Sequence, residues 1–599
     1  MISIFIFFFI SSILTVSIGN LFLRFIYRNP RNYIFSFSEE GIFGLIFISF
    51  ISLSLNFIFK LDQNVATILF VFPLFYLFQI LQKKNFDLLK KLLFHALIIS
   101  LIATIFISFD NVNRPDGGIY HLPYIKIINE FKIFTGSANL NPLFGATSIF
   151  QYTSAIYNNI IFKDLGITIP NALIGIYCID YFFRNFFSKK NDKDYFYKLF
   201  IFGISSYFLI EMNRYSDYGN DTPAHLYFFY LISLFLKKDF SLQNNQHFKI
   251  FALVSLFCFI NRPFLVISIF LAIYVWIKNK HYSSWSSFPI FSLFFFIFWV
   301  TKNILVSGCA IYPVTITCID TLPWYSNDAK FRVSSRNSSE FSELHAKGWK
   351  DIMSNKDYQN YEVKTEEKQL FLRSFNWLDK NYILKHSYTF KKKVDFFILY
   401  LFLVCFFIYV LKDNKENLSL SSTDNRNTIL FLISAIGLVI MIYKFPLGRY
   451  GTSYLSIFTF CLFFPLIKFV IKKSSTKKNN LVLSVFLLIL TSVFFFKNIN
   501  RSIKNYSANY HQAPWPRIYD NSFDLVNSSK KQNQPVKFEK INKNNLLDIY
   551  YIDKGNFYSS QRKILCLYNK APCTQTSENF DTFEIEIKKG YYLVRLNKN

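Results

Sequence analysis

The chain has 599 residues, 52% of them hydrophobic and 20% aromatic, with a mean hydropathy of +0.24. Soluble cores of this length cannot hide that much apolar surface, which excludes a soluble globular protein and leaves a polytopic, all-α membrane protein. A formal net charge of +28 invites a nucleic-acid reading, but the basic residues sit in short connections between apolar runs, so no nucleic-acid partner is expected.

A helix needs roughly 20 apolar residues to cross a bilayer, because only a helix satisfies its own backbone where water is absent. Such runs recur at about 3–23, 41–59, 65–82, 92–109, 166–184, 195–212, 224–237, 248–260, 264–278, 288–306, 395–411, 428–443, 450–471 and 480–497, which predicts about fourteen transmembrane helices. The first run lacks a basic n-region and a small-residue cleavage site, and reads as a retained helix. The pair 248–260 and 264–278 is broken by "NRP", which fits two crossings or one kinked or re-entrant element.

Every second connection is basic: "LRFIYRNPR" (23–31), "QKKNFDLLKK" (82–91), "RNFFSKKNDKDYFYK" (184–198), "KKDF" (237–240), "KNK" (278–280) and "IKKSSTKK" (471–478). Lys and Arg concentrate in cytoplasmic loops, so the intervening connections and the tail 498–599 are expected on the exoplasmic side of the plasma membrane. Of eight cysteines, Cys178, Cys258, Cys405 and Cys461 lie in apolar runs as small hydrophobes. Cys309 with Cys318, and Cys566 with Cys573, fall in the outward segments and are disulfide candidates; a turn that merely brings two thiols close is the alternative.

Between the fourth and fifth runs, 119–134 ("IYHLPYIKIINEFKIF") places Tyr120, Tyr124, Ile127, Ile128, Phe131 and Phe134 on one helical face and polar residues on the other. This predicts a helix lying along the outer leaflet just after Asp116, with 146–162 as a second interfacial element. A packed helix without function is the alternative. Asp116, then "GGI", then Tyr120-His121-Leu122-Pro123 resembles the first exoplasmic loop of the GT-C superfamily of polytopic glycosyltransferases. A second stretch, "TKNILVSGCAIYP" (301–313), is similar to a motif that ends a later helix in many of those proteins. The resemblance implies a polyprenyl-phosphate-linked sugar donor, an exoplasmic acceptor, inversion at the anomeric carbon and Asp116 as the base. Many family members follow that Asp with Glu; here Gly117 stands there, and no Asp-x-Asp occurs in the loop, so a divalent metal is left open.

Sugar transfer from a lipid phosphate needs a base for the acceptor hydroxyl and positive charge for the departing phosphate. Asp110 is the second candidate base, with a plain helix terminus as its alternative role. The stretch "NRYSDYGNDTPAH" (213–225) offers Asp217 or Asp221 as a second acid and Arg214 for phosphate, or else caps for the helix that follows. Charge at a membrane boundary is costly, which singles out Arg262, Lys302, Lys444 and Arg449 as phosphate-binding candidates. For Lys302 and Lys444, a side chain reaching to headgroups explains the position equally well.

The expected layout is N-terminal transmembrane helices (1–91), a GT-C-like membrane core (92–306) whose catalytic loop is 110–145, a large exoplasmic loop (307–394), further transmembrane helices (395–497) and a small α+β exoplasmic domain (498–599). Helical segments are expected within 325–394 and strands within 581–597, from their respective periodicities. The function expected is transfer of a sugar from a polyprenyl-phosphate carrier to an exoplasmic acceptor. Its rival is a polysaccharide flippase, a transporter or an O-antigen polymerase or ligase; charges at outer helix ends and the lack of an inverted repeat favour the enzyme.

Overall fold

A computed structural model of the chain describes residues 1–26, 34–110, 116–189, 194–211, 221–325, 335–347, 366–373, 377, 398, 425–471, 476–507, 514–516, 518, 538–543, 546–552, 566–574 and 583–596. Helices dominate. The first four, α1 (Ile2–Ile26), α2 (Phe37–Asn56), α3 (Gln63–Gln82) and α4 (Phe86–Ile107), precede two short ones, α5 (Leu122–Glu130) and α6 (Phe150–Tyr157). Then come α7 (Ile169–Phe187), α8 (Tyr195–Glu211), α9 (Asp221–Leu236), α10 (Asn245–Asn261), α11 (Ile267–Lys278) and α12 (Ile290–Ser307). The long connection contributes α13 (Ser335–Lys347) and α14 (Glu366–Arg373), and α15 (Asn425–Lys444), α16 (Thr452–Ile471) and α17 (Thr476–Ser507) follow.

Each apolar run coincides with a helix, except 395–411, which lies outside the described residues apart from position 398. Among the described residues, eight helices are long and apolar enough to cross a membrane. Fourteen was the expectation. One of the runs not counted, 395–411, lies outside the described residues; others are shorter elements such as α9 and α10, of 16 and 17 residues, whose side chains are buried nearly all round. A helix enclosed by other helices has no lipid-facing side that must match the hydrocarbon thickness. The outermost helices instead expose Phe72, Phe75, Phe94 and Phe294, an apolar exterior suited to lipid.

The helix ends sort into two groups. At one end Asp194 takes two hydrogen bonds from Arg426, at 2.8 and 3.0 Å, and pairs with Lys238 at 3.4 Å, while His281 donates to the Leu242 carbonyl at 2.7 Å. Asp194, Lys238 and His281 lie in or beside three of the connections marked basic in the sequence, 184–198, 237–240 and 278–280; Arg426 comes from the connection before α15, which carried no such mark. At the opposite end lie the α2–α3 turn, the segment 116–163, the starts of α9 and α11, the α15–α16 turn and the end of α17, the set assigned above to the other side. α10 and α11 fold back on each other about Arg262, with Ser268 Oγ donating to the Ser255 carbonyl at 2.7 Å, so "NRP" is a hairpin turn and not a kink in one helix.

The surface helix expected over 119–134 is a different object. A π-turn (Gly117–His121) leads into α5, which ends at Glu130, and most of α5 is buried. Asn129, on its supposed polar face, donates to the carbonyls of Leu61 and Ala155 at 2.5 and 3.0 Å and accepts from the Tyr568 hydroxyl at 2.9 Å. Polar residues here meet protein partners from distant segments, so amphipathic spacing marks two protein interfaces and no lipid surface. α6, within the second interfacial element expected at 146–162, is buried throughout.

The tail supplies the partner segments. β1 (Phe538–Lys543) and β2 (Leu547–Ile552) are antiparallel, β3 (Cys573–Thr574) joins β2 in parallel, and β4 (Phe583–Lys588) and β5 (Tyr591–Leu596), the strands expected within 581–597, pair as an antiparallel hairpin. Its turn is Lys589-Gly590, with φ of 50° and 78°, the left-handed pair that a two-residue hairpin turn requires. β5 bridges to Thr135, and Leu567 N donates to the Gly118 carbonyl at 2.9 Å. Cys309–Cys318 and Cys566–Cys573 are bonded, and Cys178, Cys258 and Cys461 are buried free thiols; Cys405 lies outside the described residues.

Candidate functional site

Four charged residues from four separate connections meet at one end of the bundle. Asp116 opens the π-turn, Asp221 is the first residue of α9, Arg262 sits in the α10–α11 turn, and Arg449 lies in the α15–α16 turn. Arg262 Nη2 lies 2.5 Å from Asp221 Oδ1; Arg449 Nη1 is 3.2 Å from Asp116 Oδ2, and its Nε is 3.9 Å from Asp221 Oδ2. Arg449 therefore bridges the two carboxylates.

Local structure explains each placement. Arg262 takes an extended backbone, φ −144° and ψ 110°, because Pro263 follows, and that throws its side chain off the end of α10. Tyr450 provides a shared aromatic floor, its ring centre 5.5 Å from the Arg262 guanidinium carbon and 5.0 Å from that of Arg449, and it stacks on Phe264 at 5.0 Å. Asp116 caps nothing: its side chain makes no hydrogen bond to the turn it opens. Its carboxylate is thus available to outside partners.

His225, one turn beyond Asp221 on α9, fixes the Arg449 backbone. Its Nε2 donates to the Arg449 carbonyl at 2.8 Å, which leaves Nδ1, 2.9 Å from Ser453 Oγ, as the acceptor in the neutral ring. Burial raises the proton affinity of Asp221, but Arg262 and Arg449 outweigh it and hold the carboxyl below the usual carboxylate range. Asp221 is clamped as an anion between two cations. Asp116, with 43% of its side chain exposed against 24% for Asp221, is the carboxylate that faces outward.

Tyr120 and His121 flank this cluster, and the charges of Arg262, Asp116 and Asp221 act on both. His121 is buried and its Nδ1 lies 2.8 Å from Gln151 Nε2. Burial first, and the Arg262 guanidinium second, push its imidazole down to about 3. A histidine depressed in the folded state contributes its full stability above the unfolded pKa, near 6.5, and loses it as the pH falls from there towards 3. The unfolding temperature of the wild type is expected to drop over that window more steeply than that of His121→Gln; parallel curves would show that His121 does not stay neutral.

The other expected residues are distributed differently. Asp110 is buried in an ion pair with Arg501, Oδ1 to Nη1 3.1 Å, and the Arg501 Nη2 donates to the Phe106 carbonyl at 2.7 Å, so Asp110 ties α4 to α17. Lys302 lies one layer behind Arg262: it is 0% exposed and donates to Thr147 Oγ1 at 3.4 Å, while the neighbouring Ser148 bonds Asn261 beside Arg262. Lys444 pairs with Glu343 of α13 at 3.5 Å, which brings the long connection against the turn that carries Arg449. Arg214 and Asp217 lie outside the described residues. Among those described, no group of three His, Cys, Asp or Glu side chains is placed to hold a metal ion.

Ser453 and Tyr450 were not among the residues singled out in the sequence, and His225 stood there only as the last residue of 213–225, without a role. The four-residue spacing of Asp221 and His225 was the available signal, since it sets both on one helix face. A family model described as a domain of unknown function (DUF8201) matches residues 1–456, a span that includes all four charged residues as well as His225, Tyr450 and Ser453. No curated protein and no solved structure matches the chain.

Proposed function

Since the chain belongs to the DUF8201 family, whose description carries no activity, we propose a function from the site itself: a membrane-embedded glycosyltransferase of GT-C type that moves a sugar from a polyprenyl-phosphate carrier to an acceptor on the exoplasmic side. The supporting observation is the convergence of Asp116, Asp221, Arg262 and Arg449 from four connections, with one outward carboxylate beside two guanidiniums. In this reading the helices form about fourteen crossings of the plasma membrane, the end that holds the site is exoplasmic, and the C-terminal strands lie there as well.

The chemistry follows from the charges. The acceptor hydroxyl gives its proton to Asp116 as its oxygen bonds to the anomeric carbon from the face opposite the phosphate. The bond from that carbon to the phosphate oxygen breaks, and its electron pair leaves on the phosphate. Arg449 and Arg262 stabilise this charge through paired donors, and Asp221 keeps both guanidiniums in register. Arg449 is bonded to Asp116, so a donor phosphate competes for Arg449 and releases the carboxylate to act as base.

The direct test supplies a labelled polyprenyl-phosphate sugar to the purified protein in vesicles with candidate acceptors, and follows release of the polyprenyl phosphate. Cleavage that depends on acceptor supports the transferase. Translocation of intact lipid-linked sugar without cleavage would instead establish the transporter.

A further inference from the structure

Away from the charged cluster, the chain between α2 and α3 reads Phe57-Ile58-Phe59-Lys60-Leu61-Asp62, and both Ile58 and Phe59 are exposed. Beside them opens a pocket of about 330 Å3, walled by Phe59, Phe131 and Tyr592, with Lys60 and Lys132 on its rim and Gly590 of the β4–β5 turn behind. A pocket of that size can take a small head group.

Its charges are unequally engaged. Asp62 accepts from Val65 N at 3.1 Å as the cap of α3 and pairs with Lys60 at 3.4 Å, and Glu130 pairs with Lys126 at 3.0 Å. Lys132 pairs with no carboxylate among the described residues; its ammonium stands 5.1 Å from the centre of the Tyr591 ring. Two lysines and two carboxylates line the pocket, but Glu130 is matched by Lys126 from outside the lining and Asp62 by Lys60, so the ammonium left without a carboxylate among the described residues is that of Lys132, which favours a net anion over a zwitterion.

The pocket also leads somewhere. Val65, at its edge, begins a row with Ile68, Phe72 and Phe75, spaced three and four residues apart and so on one face of α3; the last three are exposed. At 1.5 Å per residue the row is about 15 Å long, half of the roughly 30 Å hydrocarbon layer. A cationic, aromatic pocket above an apolar strip one leaflet deep has the outline of a single phospholipid.

We propose that this pocket seats the phosphate head of an anionic bilayer phospholipid, with an acyl chain along α3, and that the lipid fastens the β4–β5 hairpin to the helices. The hairpin touches both sides of the seat: Tyr591 bonds the Phe57 carbonyl, and Tyr592 packs on Phe131 at 5.2 Å. A bound head group bridging Lys60 and Lys132 links those sides through a third contact.

Hydrogen exchange of residues 583–596 in the full chain tests this. Nanodiscs with phosphatidylglycerol are expected to slow exchange about tenfold relative to phosphatidylcholine alone, as for a ligand present at about ten times its Kd. Lys132→Glu removes that difference and Lys132→Arg retains it; should the glutamate variant fail to fold, Lys60→Glu on the opposite rim is expected to reduce it. Equal protection in the two lipids, or protection that survives both glutamate variants, overturns the proposal. Equal protection by inorganic phosphate in detergent overturns it too, since the site would then serve a soluble anion.

Discussion

In the proposed transfer reaction, Asp116→Asn is expected to lower the rate by about a thousandfold, the scale of a lost general base, while the protein inserts and folds as before. Asparagine keeps an oxygen for Arg449 but cannot take the acceptor proton. Little stability depends on the carboxylate, because Asp116 and Arg449 are 43% and 52% exposed, and ion pairs that open to solvent contribute about 1 kcal/mol at most. Single-turnover transfer and thermal unfolding, measured on the same preparation, separate the two effects. Unimpaired transfer by this variant would remove Asp116 as the base, whatever the fate of the fold.

Asp221→Asn has the opposite profile. It leaves Arg262 in a largely enclosed position without its counter-ion and takes from Arg449 its second carboxylate, so the fold itself is expected to lose about 3 kcal/mol. Removing Arg262 as well, in Asp221→Asn with Arg262→Gln, is expected to recover part of that loss, because no unpaired guanidinium then remains buried. The measurement is a double-mutant cycle on thermal unfolding in one detergent. Additive losses would mean that Asp221 and Arg262 act independently. Transfer is expected to fall in all three variants, since the guanidiniums lose their alignment whether or not stability returns.

The two carboxylates looked alike in the sequence and differ in the structure. Each lies at a helix end beside glycine, proline or aromatic residues, and sequence reasoning offered Asp217 as an equal alternative to Asp221. Their environments separate them: two guanidiniums enclose Asp221, whereas Asp116 keeps one oxygen-to-nitrogen contact of 3.2 Å and an open side. Asp110 shows the same limit. Its position at the end of an apolar run matched a base as well as Asp116 did, yet Arg501, almost four hundred residues away in the chain, takes it into a buried pair.

What the sequence determined by itself is the layout. A backbone in lipid must satisfy its own hydrogen bonds, so the apolar runs among the described residues are helices, and the basic connections 184–198, 237–240 and 278–280 lie at the end of the bundle opposite the charged cluster. The same cost of charge near lipid singled out Arg262, Lys302, Lys444 and Arg449, of which the two arginines join the cluster while Lys302 bonds Thr147 and Lys444 pairs with Glu343. Only the tertiary structure decided which helices are enclosed rather than lipid-facing, that α5 is buried between α6 and Tyr568 of the tail, and that His225 holds the Arg449 carbonyl. These depend on partners hundreds of residues apart, and local periodicity reports that a face is apolar without reporting what covers it.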